Sequence, residues 1–159
     1  MACRFSCRRR VAFSETDLAG IMHFSVFLRW MEDAEHAFYR SLGLSVHPAQ
    51  QGFPDTETGW PRLKVSAEYR QPLQFEEEAE IEVLVAEMRS KAIRLVFRIW
   101  KNPDSPASRS LAASGEFVVV AVRATPGTRE MKATAIPDAF RARIEPAPDH
   151  LLAPQGPTS

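Results

Sequence analysis

One stretch of the chain is periodic in threes and fours, and the long stretch after it is periodic in twos. Phe27, Trp30, Met31, Ala34, Phe38 and Leu42 recur at helical spacing, with Glu32, Asp33, Glu35, His36 and Arg40 on the remaining face. The spacing predicts an amphipathic helix from about Ser25 to Leu42, with Ser25 as its cap and Gly43 just past its end. Residues 45–61, which include Pro48, Gly52, Pro54, Gly59 and Pro61, read as a loop. Beyond it Leu63, Val65, Ala67 and Tyr69 alternate with polar residues, then Ile81, Val83 and Val85, then Ile93, Leu95, Phe97 and Ile99. Residues 115–122 are apolar on both faces, as in an interior strand. Pro72 closes the first of these strands and Asn102–Pro106 is a turn cluster. A strand over Arg4–Phe13 precedes the helix, and a short helix opens at Pro137-Asp138 and runs to about Ile144.

One helix cannot cover both faces of such a sheet. The economical solution is an α+β domain in which a curled antiparallel sheet of about five strands wraps the helix. The outer face and edges would be left open in a monomer, so pairing with another copy is expected. With 159 residues the chain is one domain, placed at 1–145, followed by a flexible proline-containing tail over 146–159.

The remaining composition excludes more than it proposes. Twenty Lys and Arg balance twenty Asp and Glu, so there is no basic footprint for nucleic acid and no like-charge repulsion between copies. Cys3 and Cys7 have no second pair, and His23, His36, His47 and His150 form no H-x-x-x-H spacing, so no metal is expected. Two reduced thiols, no long apolar run and a start, MACRFSCRRR, without an apolar core after its arginines point to the cytoplasm, with no membrane span. There is no G-x-G-x-x-G, no phosphate loop and no G-x-S-x-G, which removes dehydrogenases, kinases and serine hydrolases of that pattern.

The junction between first strand and helix remains. Asp17 lies in the turn Ser14-Glu15-Thr16-Asp17-Leu18-Ala19-Gly20, directly before the helix. A carboxylate there can face the free amides of a helix start, which stabilise a developing oxyanion. By the residues alone, capping of the turn or helix is the better-supported use of Ser14, Thr16 and Asp17, and carboxylate chemistry is the alternative.

The segment from Phe13 through Asp17, Gly20, His23, Phe24, Phe27 and Trp30 to Ala34 resembles the active-site signature of the 4-hydroxybenzoyl-CoA thioesterase family. The resemblance extends over roughly residues 5–125, through Gly43-Leu44, residues 65–72 and the turn Arg89-Ser90-Lys91. It implies the hotdog fold and an acyl-CoA thioesterase without a cofactor, acting on an acyl- or aroyl-CoA as a homodimer or homotetramer. Asp17 then matches the catalytic carboxylate, as nucleophile or general base. Phe24 matches the helix-start residue whose backbone N–H polarises the thioester carbonyl, and Gly20 the turn glycine beside the substrate. Arg89, Ser90 and Lys91 match a region that meets coenzyme A phosphates. Glu32, on the helix, is a reserve candidate for the carboxylate.

This sequence departs from the family pattern in four places. His23 stands where Tyr or Trp is usual, Phe24 where some relatives have His or Tyr, Val26 where Asn or Ser is common and Phe27 where Tyr is common. The implied pocket is less polar, which fits a more apolar substrate or a non-catalytic acyl-CoA binding protein. His23 reads either as a packed side chain or as a group near the leaving thiolate. Glu15, two residues from Asp17, reads as part of a solvated turn.

Overall fold

The computed structural model describes residues 1–47 and 58–154. Strand β1 (Arg4–Arg10) runs into a 3-10 turn (Phe13–Glu15) and then helix α1 (Phe24–Ser41). After the break come β2 (Thr58–Gly59), β3 (Arg62–Tyr69), β4 (Glu78–Met88), β5 (Ala92–Lys101), β6 (Ser110–Val120), β7 (Val122–Ala124) and β8 (Met131–Ala133), then short helices α2 (Asp138–Arg141) and α3 (Asp149–Leu152). Five strands form one antiparallel sheet in the order β1-β4-β5-β6-β3, and β2, β7 and β8 form a second, small sheet. The expected helix-in-a-curled-sheet architecture is therefore present. Register shifts between Arg62 and Lys64, Val85 and Glu87, and Ile99 and Trp100 supply curl, because an extra residue on one strand bends it and increases its twist.

Helix α1 buries Val26, Phe27, Trp30, Met31, Ala34, Phe38 and Tyr39. Against them lie Ile81, Val83 and Val85 of β4, Ile93, Leu95, Phe97 and Ile99 of β5, and Ala113, Phe117 and Val119 of β6. Gly115 permits the approach: a Cβ there would stand 2.5 Å from Met31 Sδ and 2.8 Å from the Ser66 carbonyl oxygen. At the helix end Gly43, with φ +67°, sends its amide back to the Arg40 carbonyl at 3.0 Å, as its position in the sequence predicts.

Several expectations need correction. The first strand ends at Arg10, because Phe13 already opens the 3-10 turn. Helix α1 begins at Phe24 and is capped by His23, leaving Ser25 inside the first turn. The small sheet was not legible, since strands of two or three residues carry no period. Leu63, Val65 and Tyr69 do not reach the core: β3 is an edge strand and all three stay exposed, Leu63 by 73%. Of the expected tail, residues 146–154 lie against the sheet, with the Ala147 amide bonded to the Val85 carbonyl at 2.7 Å and Arg98 Nη2 to the Ala153 carbonyl at 2.9 Å. The rest of the tail, and most of the expected 45–61 loop, lie outside the described residues.

Glu35, placed on the polar face by its spacing, is fully buried. Its carboxylate pairs with Arg62, whose guanidinium stacks 4.7 Å from the Phe117 ring centre. Burial pushes the Glu35 carboxyl up to about 7, against the opposing pull of Arg62 and the Tyr39 hydroxyl. A carboxyl that binds its proton more tightly folded than unfolded weakens the fold as pH rises from the ordinary carboxylate range through about 7. Glu35→Gln removes that titration. Its melting temperature relative to the wild type should therefore rise between about pH 5 and pH 8, and thermal melts at the two values check this.

Candidate active site

The chain leaves β1, makes the 3-10 turn and folds into a small hairpin before α1. Thr16 and Met22 form its antiparallel bridge, and at its base the His23 amide donates to the Glu15 carbonyl at 2.8 Å. At its tip the Asp17 amide bonds the Ile21 carbonyl at 2.9 Å and the Gly20 amide bonds the Asp17 carbonyl at 3.0 Å. Gly20 has φ +77°, a left-handed conformation that a side chain would strain. The hairpin is tied to the segment after β3 by the Met22 amide, which donates to the Leu73 carbonyl at 2.7 Å, and by an Ile21–Gln74 bridge.

Asp17 is exposed, and its Oδ1 accepts from the Ala19 amide at 2.8 Å. Beside it the helix begins. A helix start leaves its first amides without intrahelical partners. His23 Nδ1 accepts from the Ser25 amide at 3.3 Å and lies 2.8 Å from the Ser25 hydroxyl, while the His23 carbonyl accepts from Val26 at 2.9 Å. The Phe24 amide has no partner among the described residues. The Phe24 carbonyl accepts from the Tyr69 hydroxyl at 2.9 Å, and Tyr69 meets Phe27 edge-on with ring centres 5.1 Å apart.

These groups border one cleft of about 380 Å³, lined by Asp17, Ile21, Met22, Phe24, Phe27, Tyr69, Arg70, Gln71 and Pro72. Asp17 also borders a second concavity of about 650 Å³, formed with Phe13, Ser14, Thr16, Leu18, Gly20 and Phe75. A carboxylate that lines both concavities, sharing the first with a helix start whose amide is unpartnered among the described residues, has the parts for acyl transfer: an acid–base or nucleophilic group and an oxyanion donor.

Of the residues singled out in the sequence, Asp17, Phe24 and Phe27 share the first cleft, and Gly20 borders the second concavity. His23 lines neither; its Nδ1 serves the helix cap and its ring rests against Phe24 with centres 4.3 Å apart. Arg89, Ser90 and Lys91 are not brought to Asp17. They form the turn between β4 and β5, next to the end of the sheet where Ala92 pairs with Val120 and Arg62 with Val119, whereas Tyr69 pairs with Ala113 at the other end. Seven residues of strand separate the two ends, roughly 23 Å at about 3.3 Å per residue. The turn's backbone is braced instead by Arg141, whose Nη2 donates to the Arg89 and Ser90 carbonyls at 2.8 and 2.7 Å. Glu32 sits farther along α1, 3.8 Å from Arg62 Nη2. Ile21, Met22, Tyr69, Arg70 and Gln71 are cleft residues that sequence reasoning missed; Pro72 marked where the β3 strand ends but not what it ends beside.

Residues 11–144 match the thioesterase-like superfamily. A 1,4-dihydroxy-2-naphthoyl-CoA hydrolase of Prochlorococcus marinus (strain NATL1A) is 29% identical over 103 residues, which span 60% of this chain and 67% of that protein. Among solved structures, a 1,4-dihydroxy-2-naphthoyl-CoA thioesterase from Synechocystis superposes with a TM-score of 0.75 at 18% identity, covering 88% of this chain and 94% of that one. The 4-hydroxybenzoyl CoA thioesterase from Pseudomonas sp. strain CBS-3 superposes with a TM-score of 0.72 at 20% identity, over 88% and 99% of the two chains. The fold is the hotdog fold of these structures.

The Tyr69 hydroxyl bond to the helix start has a measurable consequence. Tyr69→Phe keeps the ring contact with Phe27 and loses one partly exposed hydrogen bond. Urea denaturation should show a loss of about 0.5–1 kcal/mol.

Proposed function

The chain belongs to the thioesterase-like superfamily, and from that premise we propose that it hydrolyses the thioester of an acyl- or aroyl-CoA with Asp17 as its catalytic carboxylate and the Phe24 amide as its oxyanion donor. The class of the enzyme, a thioester hydrolase, follows from the family and from the relatives' activities on CoA thioesters. The observation that carries the assignment of residues is one cleft shared by Asp17 and the start of α1, where the Phe24 amide has no partner among the described residues.

The thioester carbonyl oxygen accepts from the Phe24 N–H, with the carbonyl carbon in front of Asp17. In the general-base route Asp17 takes a proton from water as the water oxygen bonds to that carbon, and the amide holds the resulting oxyanion. Collapse breaks the carbon–sulfur bond, and the departing thiolate recovers the proton, leaving a carboxylic acid and free coenzyme A. In the nucleophilic route the Asp17 oxygen bonds to the carbon first, and the carbon–sulfur bond breaks to give an aspartyl anhydride and the coenzyme A thiolate. Water then cleaves the anhydride, restoring the Asp17 carboxylate, releasing the acid and supplying the proton the thiolate takes up. Entry of labelled water oxygen into Asp17 during a single turnover marks the second route. The apolar walls supplied by Ile21, Met22, Phe24 and Phe27 suit an apolar or aromatic group in the cleft. On this reading Arg70 is the cation that lines the cleft itself. Arg89, Ser90 and Lys91 meet phosphates only of a substrate held by a neighbouring copy. The cytoplasm, expected from the reduced Cys3 and Cys7, is part of the same proposal.

A second copy is proposed to pair along β3, an edge strand with exposed Leu63, Val65 and Tyr69, the last of which reaches the exposed Phe24 at the cleft. Light scattering should give at least twice the 17.9 kDa chain mass, and Val65→Lys should lower it. For the chemistry, Asp17→Asn should lower kcat for free-thiol release from aromatic and aliphatic acyl-CoA by about a thousandfold with the fold retained. Unchanged turnover in that variant removes Asp17 from the mechanism, and tight acyl-CoA binding by a wild type that releases no thiol would mark a binding protein instead.

A further inference from the structure

The sequence places Glu15 in a solvated turn, and the structure gives it a different position. Its side chain is 19% exposed and lines neither concavity around Asp17. Oε1 accepts from the indole Nε1 of Trp30 at 2.9 Å, and Oε2 accepts from the Ala12 amide at 2.9 Å. Its carbonyl accepts from the His23 amide at the base of the hairpin. Trp30 is buried in the apolar face of α1, and Arg9 closes the group, with Nη2 3.9 Å from Glu15 Oε1 and its guanidinium carbon 5.6 Å from the indole centre.

We propose that Glu15 is a positioning residue: through its hydrogen bond to Trp30 it sets the hairpin that carries Asp17 against the helix that presents the Phe24 amide. The inference rests on the thioesterase reading of that cleft. The two halves of the site sit on different elements. The hairpin is held to the segment after β3 through Met22 and Ile21, and the helix is held by its own packing in the sheet. Among the described residues, the Glu15–Trp30 bond is the one side-chain hydrogen bond from residues 12–22 to α1. It acts six residues beyond Phe24, about 9 Å along the axis at 1.5 Å per residue, so Glu15 touches no reacting atom. The Trp30 end of the bond is buried and the Glu15 end partly so, which helps a charge-assisted hydrogen bond resist competition from water. Losing it leaves the backbone bonds of hairpin and helix intact while their relative placement loosens. Carboxylate and oxyanion donor must face one carbonyl together, and a displacement of about 1 Å costs on the order of a hundredfold in rate.

The test is steady-state hydrolysis of an acyl-CoA that the wild type turns over, by Glu15→Gln, Glu15→Ala, Trp30→Phe and the double variant Glu15→Ala/Trp30→Phe, each checked for folding by circular dichroism. Glu15→Ala and Trp30→Phe should lower kcat about 10- to 100-fold with KM within about threefold. Glu15→Gln, which keeps one acceptor oxygen, should recover part of the loss, and the double variant should fall no lower than the worse single one. A folded Trp30→Phe or Glu15→Ala at wild-type kcat overturns the proposal, as do losses that multiply in the double variant. Should Trp30→Phe not fold, the order wild type, Gln, Ala in kcat decides, and equal rates for Gln and Ala overturn the proposal. A wild type that releases no thiol from any acyl-CoA overturns the thioesterase reading and this inference with it; an active wild type with indifferent variants overturns this inference alone.

Discussion

The site is placed by burial that occurs elsewhere. Helix α1 is fixed by Trp30, Met31, Ala34 and Phe38 packing into the concave face of β4, β5 and β6, and Gly115 lets Met31 reach the strand backbone. Once that face is buried, the position and direction of the helix start are no longer free. The same packing that excludes water from the core thus holds the Phe24 amide at a fixed point of the surface. A donor made of backbone needs no side chain of its own, but it needs a helix that does not slide.

What happens at that start is a division of hydrogen bonds. His23 uses its ring nitrogen and its carbonyl for Ser25 and Val26, and Tyr69 holds the Phe24 carbonyl from the edge strand. The amide between them has no partner among the described residues. The hairpin before the helix solves the companion problem. Gly20 supplies the left-handed turn that returns the chain, and the Thr16–Met22 bridge keeps Asp17 at the tip. Chain neighbours separated by seven residues therefore face one cleft from two differently supported elements.

Some of this was legible in the residues. The helix showed itself through six apolar positions at one spacing, and β4 and β5 through alternation, because both periods report a face turned to the core. The pattern misled at Glu35 and β3. Glu35 occupies a helix position that faces Arg62 rather than water, and charge alone predicted the opposite. Leu63, Val65 and Tyr69 alternate like core residues although β3 lies at the edge; alternation says that a strand has an apolar face, not what covers it. Glu15 departs from its local pattern for a related reason. Its partner, Trp30, is fifteen residues away along the chain, and no local pattern joins a turn carboxylate to an indole in a helix.

The sequence by itself determined the class of the fold, the place of the helix and the turn where Asp17 precedes it, since periodicity and turn chemistry are local properties. The tertiary structure alone decided which residues share a cleft. Tyr69, Arg70 and Gln71 join Asp17 because β3 ends beside the helix start, and Arg89, Ser90 and Lys91 are kept from it because the β4–β5 turn lies at the other end of the sheet. Strand order and register carry that information, and they follow from how a whole sheet closes around one helix, which no segment of the chain contains.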